Sequence, residues 1–357
     1  MRTGDLIGWK PKFYDPTVAS VRIRCLNPLS ELRARGYPIE LFDETRCSTY
    51  HAVVYSKLYD DVTYREAAAL KTRGVRIILD LCDNHFYNPS AWGPLIKARD
   101  ELLRMLALAD YLVTSTETLA KVVRTVKPDV RSITVIGDAV EIEIKEEFTS
   151  MWRRWWHRRL LAQLLATIEG ENKQGRTPLV WFGIHGGPNA PFGMLDLLKI
   201  RQCVEGLNGQ FPLSLTVISN SWHKYFKMIR PWAIPTRYIP WSANTFLTAL
   251  RAHAIAVIPI SSNSFTRCKT NNRFVTALQA GVAVVGDSIP SYEEFRCVTR
   301  LDSWKSGLCE YLLNPDLRLQ DVQRAQSIIN ARWTLPRIAD QWQGFFEKVL
   351  SNSRRMA

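Results

Sequence analysis

The sequence predicts an α/β protein built from two parallel-sheet domains, and three observations carry the prediction. Short apolar runs rich in Val, Ile and Tyr alternate with helical patterns, as parallel strands joined by crossover helices do. At 357 residues the chain is too long for one ordinary core, so two domains are the first expectation. The alternation also breaks once, after Glu141, and restarts at Leu179.

In the first half the expected strands are Leu6–Trp9, Ile39–Phe42, Ala52–Tyr55, Val75–Leu81, Tyr111–Thr114 and Ile133–Ile136. Helical patterns fall near Leu26–Arg35, Tyr64–Thr72, Leu95–Leu108 and Thr116–Val126. An acidic stretch, the segment Met151–Ile168 and the polar run Glu169–Thr177 then interrupt the pattern. It resumes with strands at Leu179–Gly183, Leu213–Ser219, Arg237–Pro240, Ile255–Ile260 and Val282–Gly286. Helices are expected near Phe192–Cys203, Asn244–Arg251, Asn271–Ala280, Asp316–Asn330 and Leu335–Leu350. The architecture is therefore two Rossmann-like doubly wound domains facing across a cleft, since ligands of open α/β sheets bind at the carboxyl ends of the strands. The boundaries are 1–145, a junction 146–177, a second domain 178–334 and a terminal helix 335–357.

Composition narrows the function. Hydrophobic residues at 46% and charged residues at 23% exclude a disordered or collagen-like chain. No apolar run reaches the roughly 18 residues of a membrane span, and Met1–Lys10 lacks a signal-peptide core, so a cytoplasmic protein is expected. The seven cysteines are scattered without C-x-x-C pairs, which points to reduced thiols and to no metal site. Residues 1–150 hold 21 Lys+Arg and 21 Asp+Glu, whereas residues 151–357 hold 26 and 13, so the whole excess of +13 lies in the second half. Between Glu205 and Asp287, 81 residues contain no carboxylate but eight cations: Lys224, Lys227, Arg230, Arg237, Arg251, Arg267, Lys269 and Arg273. Such a domain expects an anionic ligand.

The most informative segment is Ile255–Gly286, a strand, loop, helix, Gly and strand. Thr270 or Asn271 can cap the helix, and Gly281 suits its left-handed end. Arg267, Lys269 and Arg273 then crowd the helix N-terminus, where the macrodipole disfavours cations. A phosphate or diphosphate on the N–H groups of Asn271 and Asn272 reverses that term; solvated side chains are the alternative. Gly183, Gly186 and Gly187, with His185 and Asn189, form a loop whose backbone can approach a phosphate, or an ordinary tight turn. No G-x-G-x-x-G is present, so a dinucleotide site finds no support.

The run I-P-I-x-x-N-x-F-x-x-x-K-x-N-N-R, then A-L-x-A-G-V-A-V-V-G and S-Y-E-E-F, resembles the donor domain of GT-B glycosyltransferases of the family 1/4 kind. W-F-G-I-H-G-G at Trp181–Gly187 is similar to the first strand and glycine loop of that domain, and Ala109–Ala120 to a strand of the acceptor domain. The segment Trp333–Trp342 resembles the family's last helix, which crosses back onto the first domain. One departure is clear: the E-x7-E of the large retaining branch falls on Cys268 and Thr276, and both carboxylates are missing. The resemblance implies a nucleotide-sugar donor and no cofactor. It puts Tyr238 and Trp241 near the base, and leaves Tyr292 or Glu294 for the ribose.

In the first half, Ser20, Arg22 and Arg24 are candidate acceptor or anion contacts, or a solvated basic turn. Asp83 and His85 end a strand and are candidates for the general base that an inverting transfer needs, or a structural pair. In Met151–Ile168, Trp152, Trp156, Leu160 and Leu164 share one helical face while Arg153, Arg154, Arg158 and Arg159 crowd the first turns. This helix could meet a membrane at its inner face, an anionic acceptor or the other domain. The function expected is glycosyl transfer from a nucleotide sugar to a glycan or lipid-linked glycan, as in polysaccharide biosynthesis, independent of metal. A same-fold epimerase, hydrolase or glycerophosphotransferase is the near alternative. A non-catalytic polyanion or nucleic-acid binder is the distant one, disfavoured because the cations gather at one loop–helix junction rather than in a stripe.

Overall fold

In the computed structural model, which describes residues 6–130, 132–143, 150–186 and 192–354, the chain divides into two compact units. The first comprises 1–140, 267–270 and 331–357; the second comprises 141–266 and 271–330. Each carries a six-stranded parallel sheet, so both are α/β domains of the doubly wound kind.

The first sheet contains β1 (Leu6–Pro11), β2 (Ile39–Leu41), β3 (Tyr50–Ser56), β4 (Arg76–Leu81), β5 (Tyr111–Thr114) and β6 (Ile133–Val135), ordered β2-β1-β3-β4-β5-β6. Its strands read as continuous apolar runs because helices cover both faces; Val53, Val54, Ile77 and Ile78 are fully buried. The helical stretch after β1 begins at Ala19, before the expected Leu26. A π-helical segment, Arg22–Leu26, precedes the α-helix Asn27–Ala34.

The helix Leu335–Arg354 packs on Asn27–Ala34 and fills the first unit's core. Trp342 stands 4.6 Å from Trp9 and stacks on Phe346 at 5.5 Å. Beneath it lies a buried charge network. Arg24 chelates Asp80 through Nε (3.0 and 3.2 Å) and Nη2 (2.6 Å), while Ser56 Oγ donates to Asp80 (2.7 Å) and accepts from Trp9 Nε1 (2.8 Å). Its Nη1 donates to the carbonyls of Ile136 and Gly137 and to Asp138, and the guanidinium lies 5.2 Å over Trp342.

The second sheet contains β7 (Thr177–Phe182), β8 (Leu213–Ser219), β9 (Thr236–Pro240), β10 (Ile255–Ile258), β11 (Ala283–Gly286) and β12 (Arg300–Leu301), ordered β12-β11-β10-β7-β8-β9. Order reverses between β7 and β10, which makes their carboxyl ends the switch point where ligands of such sheets bind. Sequence patterning missed β12, only two residues long, and the helices Trp222–Met228 and Trp304–Leu313. The helix Met151–Lys173 belongs to this unit, anchored at its far end: Glu171 accepts from Ser214 Oγ (2.7 Å) and from Arg237.

Two outcomes follow from these cores. Trp342→Ala empties a fully buried site and removes the ring over Arg24, so urea denaturation should show the first unit weakened by about 3–5 kcal/mol. His253 donates from Nδ1 to the Ala249 carbonyl (2.9 Å) and accepts at Nε2 from Thr216 (2.7 Å), and burial pushes its pKa down to about 4. The unfolded chain, with an ordinary His value near 6.5, therefore binds the extra proton first. Stability is intact above about pH 6.5 and should fall towards pH 4 by up to about 1.4 kcal/mol per pH unit. Urea midpoints measured across that window should show the slope in the wild type and a flatter one in His253→Gln.

Candidate active site

The loop after β7 can be built only with glycine. Gly186 has φ +101°, and a Cβ there would sit 2.3 Å from the Phe192 carbonyl oxygen. Gly193 has φ +92°, and its Cβ would meet Gly186 N at 2.6 Å and Ile184 O at 2.7 Å. Two backbone segments thus press together at the carboxyl end of β7. Neighbours from β8 and β10 fix them. Ser219 Oγ donates to Gly183 O (2.7 Å), and Asn220 Oδ1 accepts from His185 N (3.2 Å) and ring Nδ1 (2.9 Å). With Asn220 Oδ1 as the acceptor, that pairing puts a ring proton on Nδ1. Asp196, buried and with its pKa raised by burial, accepts from Gly193 N (2.9 Å), Ser261 N (3.0 Å) and Ser261 Oγ (2.5 Å). One carboxylate therefore ties the loop after β7 to the loop after β10, across the switch point. Gly187 and Asn189 lie outside the described residues.

The helix Asn272–Gln279 opens beside this loop, and no side chain caps it. Asn271 instead donates from Nδ2 to Glu294 Oε1 (2.8 Å), and its Oδ1 is buried without a partner. The first-turn N–H groups are those a helix leaves unsatisfied, and Asn272 begins that turn. Arg273 lies 5.2 Å over Trp181 and 5.8 Å over Phe182, and its Nε comes within 3.6 Å of where a Gly183 Cβ would be. Its Nε and Nη2, together with Trp181 Nε1, are buried without a hydrogen-bond partner. Burial accordingly pulls the Arg273 pKa below its ordinary value.

The remaining second-unit candidates divide. Tyr292 is a core residue: it is buried, with its ring stacked 3.8 Å from Phe274, which corrects its assignment to a ribose and leaves Glu294. Tyr238 donates its hydroxyl to Ser219 O (2.7 Å), and burial pushes its pKa up to about 12. Trp241, at the end of β9, is half-buried with its ring 6.2 Å from Phe246.

Lys269 goes elsewhere. Residues Arg267–Thr270 belong to the first unit, where Cys268 is buried in the core and Thr116 Oγ donates to its carbonyl (3.1 Å). Lys269 Nζ binds Asp83 Oδ1 at 2.5 Å, and Lys57 Nζ binds Asp83 Oδ2 at 2.5 Å. The expectation that no acid is near Lys269 is corrected by a carboxylate 186 positions away in sequence. Burial alone would raise Asp83, but the two ammonium groups outweigh it and hold the carboxyl well below the usual range. Asp83 is therefore a shared counter-ion and a poor general base. His85, 4.0 Å from Asp83, bonds through Nδ1 to Tyr59 Oη (2.7 Å), and burial lowers its pKa to about 4.

Of the basic turn, Ser20 is half-buried, and Arg22 is buried and donates to Pro16 O (2.7 Å). Arg24 is no ligand contact, because Asp80, Asp138 and two carbonyls occupy all three of its nitrogens. Sequence reasoning missed Lys57, Asp196, Asn220 and Ser261. A carboxylate inside the apolar run G-M-L-D-L-L was the one available signal for Asp196.

No family model matches the chain, and no curated protein matches its sequence. Solved structures do match its fold. A UDP-forming α,α-trehalose-phosphate synthase from Burkholderia vietnamiensis superposes with a TM-score of 0.58 at 9% identity, over 96% of this chain and 97% of that one. The pneumococcal O-GlcNAc transferase GtfA, solved with UDP and GlcNAc, gives 0.54 at 13% identity over 84% of this chain and 57% of that one. A UDP-N-acetylglucosamine 2-epimerase from Listeria monocytogenes gives 0.51 at 10% identity, over 89% and 91%. The fold is therefore the two-domain α/β fold of GT-B enzymes.

The loop geometry makes a sharp expectation. Gly186→Ala must displace the Phe192 backbone, so its Tm should fall by several degrees in a thermal melt, whereas Gly206→Ala, where a Cβ meets open space, should melt no lower than the wild type.

Proposed function

We propose that this chain is a cytoplasmic glycosyltransferase that moves a sugar from a nucleoside diphosphate sugar to a hydroxyl of a glycan or lipid-linked glycan, in polysaccharide biosynthesis. The observation that carries the reading is Arg273: a guanidinium buried beside the glycine loop, at the switch point, with Nε and Nη2 lacking acceptors. Native proteins pair such groups or keep them for a ligand, because an unpartnered buried charge is costly. A diphosphate supplies the missing acceptors. It also suits the uncapped helix start at Asn271–Asn272 and a backbone loop that glycine leaves open. Similarity of fold to enzymes solved with UDP and GlcNAc supports the class of donor.

In the transfer, the acceptor oxygen attacks the anomeric carbon, the bond from that carbon to the diphosphate oxygen breaks, and the acceptor proton leaves to a base. Arg273 and the first-turn N–H groups stabilise the charge growing on the diphosphate, and no metal or cofactor is needed for that role. In this reading Glu294, held by Asn271, takes a ribose hydroxyl and Trp241 meets the base. Of the two base candidates, Asp83 is held by its lysines, so His85, neutral near pH 7, is the one able to take a proton.

Arg273 gives the test a distinctive pair of outcomes. Charge-assisted bonds to phosphate are worth about 1.5–3 kcal/mol, so Arg273→Met should weaken nucleotide diphosphate binding at least tenfold. The same change removes a buried unpaired cation and should leave the ligand-free protein equally or more stable. Thermal-shift titration with a panel of nucleotides and nucleotide sugars reads both. A lower ligand-free Tm with unchanged nucleotide affinity would overturn the reading.

A further inference from the structure

The helix Met151–Lys173 has two unlike halves. Its buried residues, Leu164, Ile168 and Glu171, all lie in the second half. From Met151 to Arg159 no residue is buried, although four are large and apolar: Met151 is 80% exposed, Trp152 71%, Trp155 50% and Trp156 42%. The sequence pattern put Trp152, Trp156, Leu160 and Leu164 on one helical face. In the structure only Leu164 of these is buried, and Trp152 stacks instead on Trp155 at 5.2 Å. Ser150 caps the helix, so these turns are ordered without a core behind them.

At about 100° per residue the three indoles fall within an arc of about 100°, and the buried Leu164–Glu171 stripe points about 130° away from its centre. The aromatic arc therefore faces away from the domain core. Arg159 lies inside the arc, 5.5 Å over Trp155, and Arg153 and Arg158 flank it at about 110° on either side. Among the described residues none of Arg153, Arg154, Arg158 and Arg159 forms an ion pair with a carboxylate. Exposed contiguous tryptophans on a soluble domain mark a contact surface. Amphipathic rings pointing outward between flanking guanidinium groups match the boundary between hydrocarbon and anionic headgroups, where indoles sit and arginines reach the phosphates. No helix among the described residues is long and apolar enough to cross a membrane, so the contact would lie in the surface plane.

We propose that residues 151–159 dock this protein on an anionic lipid surface, with Trp152, Trp155 and Trp156 entering the interface and Arg153, Arg158 and Arg159 binding headgroup phosphates. This goes beyond the transfer reaction and stands or falls without it, since its readout is binding alone.

The test is co-sedimentation of the full chain with vesicles of phosphatidylcholine, alone or with about one-third phosphatidylglycerol. Binding is expected to the anionic vesicles only, and to weaken as salt rises. Trp152→Ser, Trp155→Ser and Trp156→Ser together should lower it at least tenfold, as should Arg153→Gln, Arg158→Gln and Arg159→Gln together. Both variants should keep the wild-type Tm and nucleotide affinity, because none of these side chains is buried. Three results would overturn the proposal: no binding to anionic vesicles, vesicle binding that both variants retain, or tryptophan-dependent self-association in place of vesicle binding. Arginine-dependent capture of random-sequence RNA without vesicle binding would do so as well.

Discussion

Arg273 sits where a cation is hardest to keep. Its Nε and Nη2 are out of water and lack acceptors, and the group lies over two aromatic rings, whose attraction offsets only part of the lost hydration. Arg24, fully buried in the other unit, shows what a structural guanidinium looks like here: two aspartates, two carbonyls and an indole face satisfy it completely. The same chain thus satisfies one buried arginine and leaves another open. The open one stands at a strand-order reversal, beside a loop that excludes side chains.

Much of the second unit can be understood as support for that opening. Asp196 could have hydrogen-bonded Arg273, but its oxygens accept from Gly193 and Ser261, so it orders the loops and acts on the guanidinium only through space. Asn271 could have capped the helix, but its amide goes to Glu294, so the first-turn N–H groups stay available. In each case a side chain able to quench the site is turned to positioning a neighbour. Sites that must accept a charged ligand are commonly held in this way, preorganised at some cost to the empty protein.

The fold was legible because both sheets are parallel and buried, and such strands are continuous apolar runs whose limits vary by only a residue or two. Tyr111–Thr114 and Leu213–Ser219 were read to the residue. β12 was not, because two residues leave no pattern. At the site, legibility stopped where side chains meet across long sequence distances. The acid-free stretch suggested a crowd of unpaired cations, yet Arg237 finds Glu171, Arg251 finds Glu143 and Lys269 finds Asp83. A local count of charge cannot see partners that folding brings in. It was sound for Arg273, whose surroundings are built from β7 and its glycine loop.

The two places where the glutamates of the retaining branch would fall sharpen the same point. Cys268 and Thr276 are both buried, the first in the core of the first unit and the second on the inward face of its helix. Neither position has room or solvent for an ionised carboxylate, so a glutamate there would cost stability rather than add a contact. The carboxylate that does lie beside the helix start is Glu294, reached from the opposite direction along the chain and fixed by Asn271. The acid at the uncapped helix start is thus supplied from residue 294, not from the two positions where the retaining branch carries glutamates.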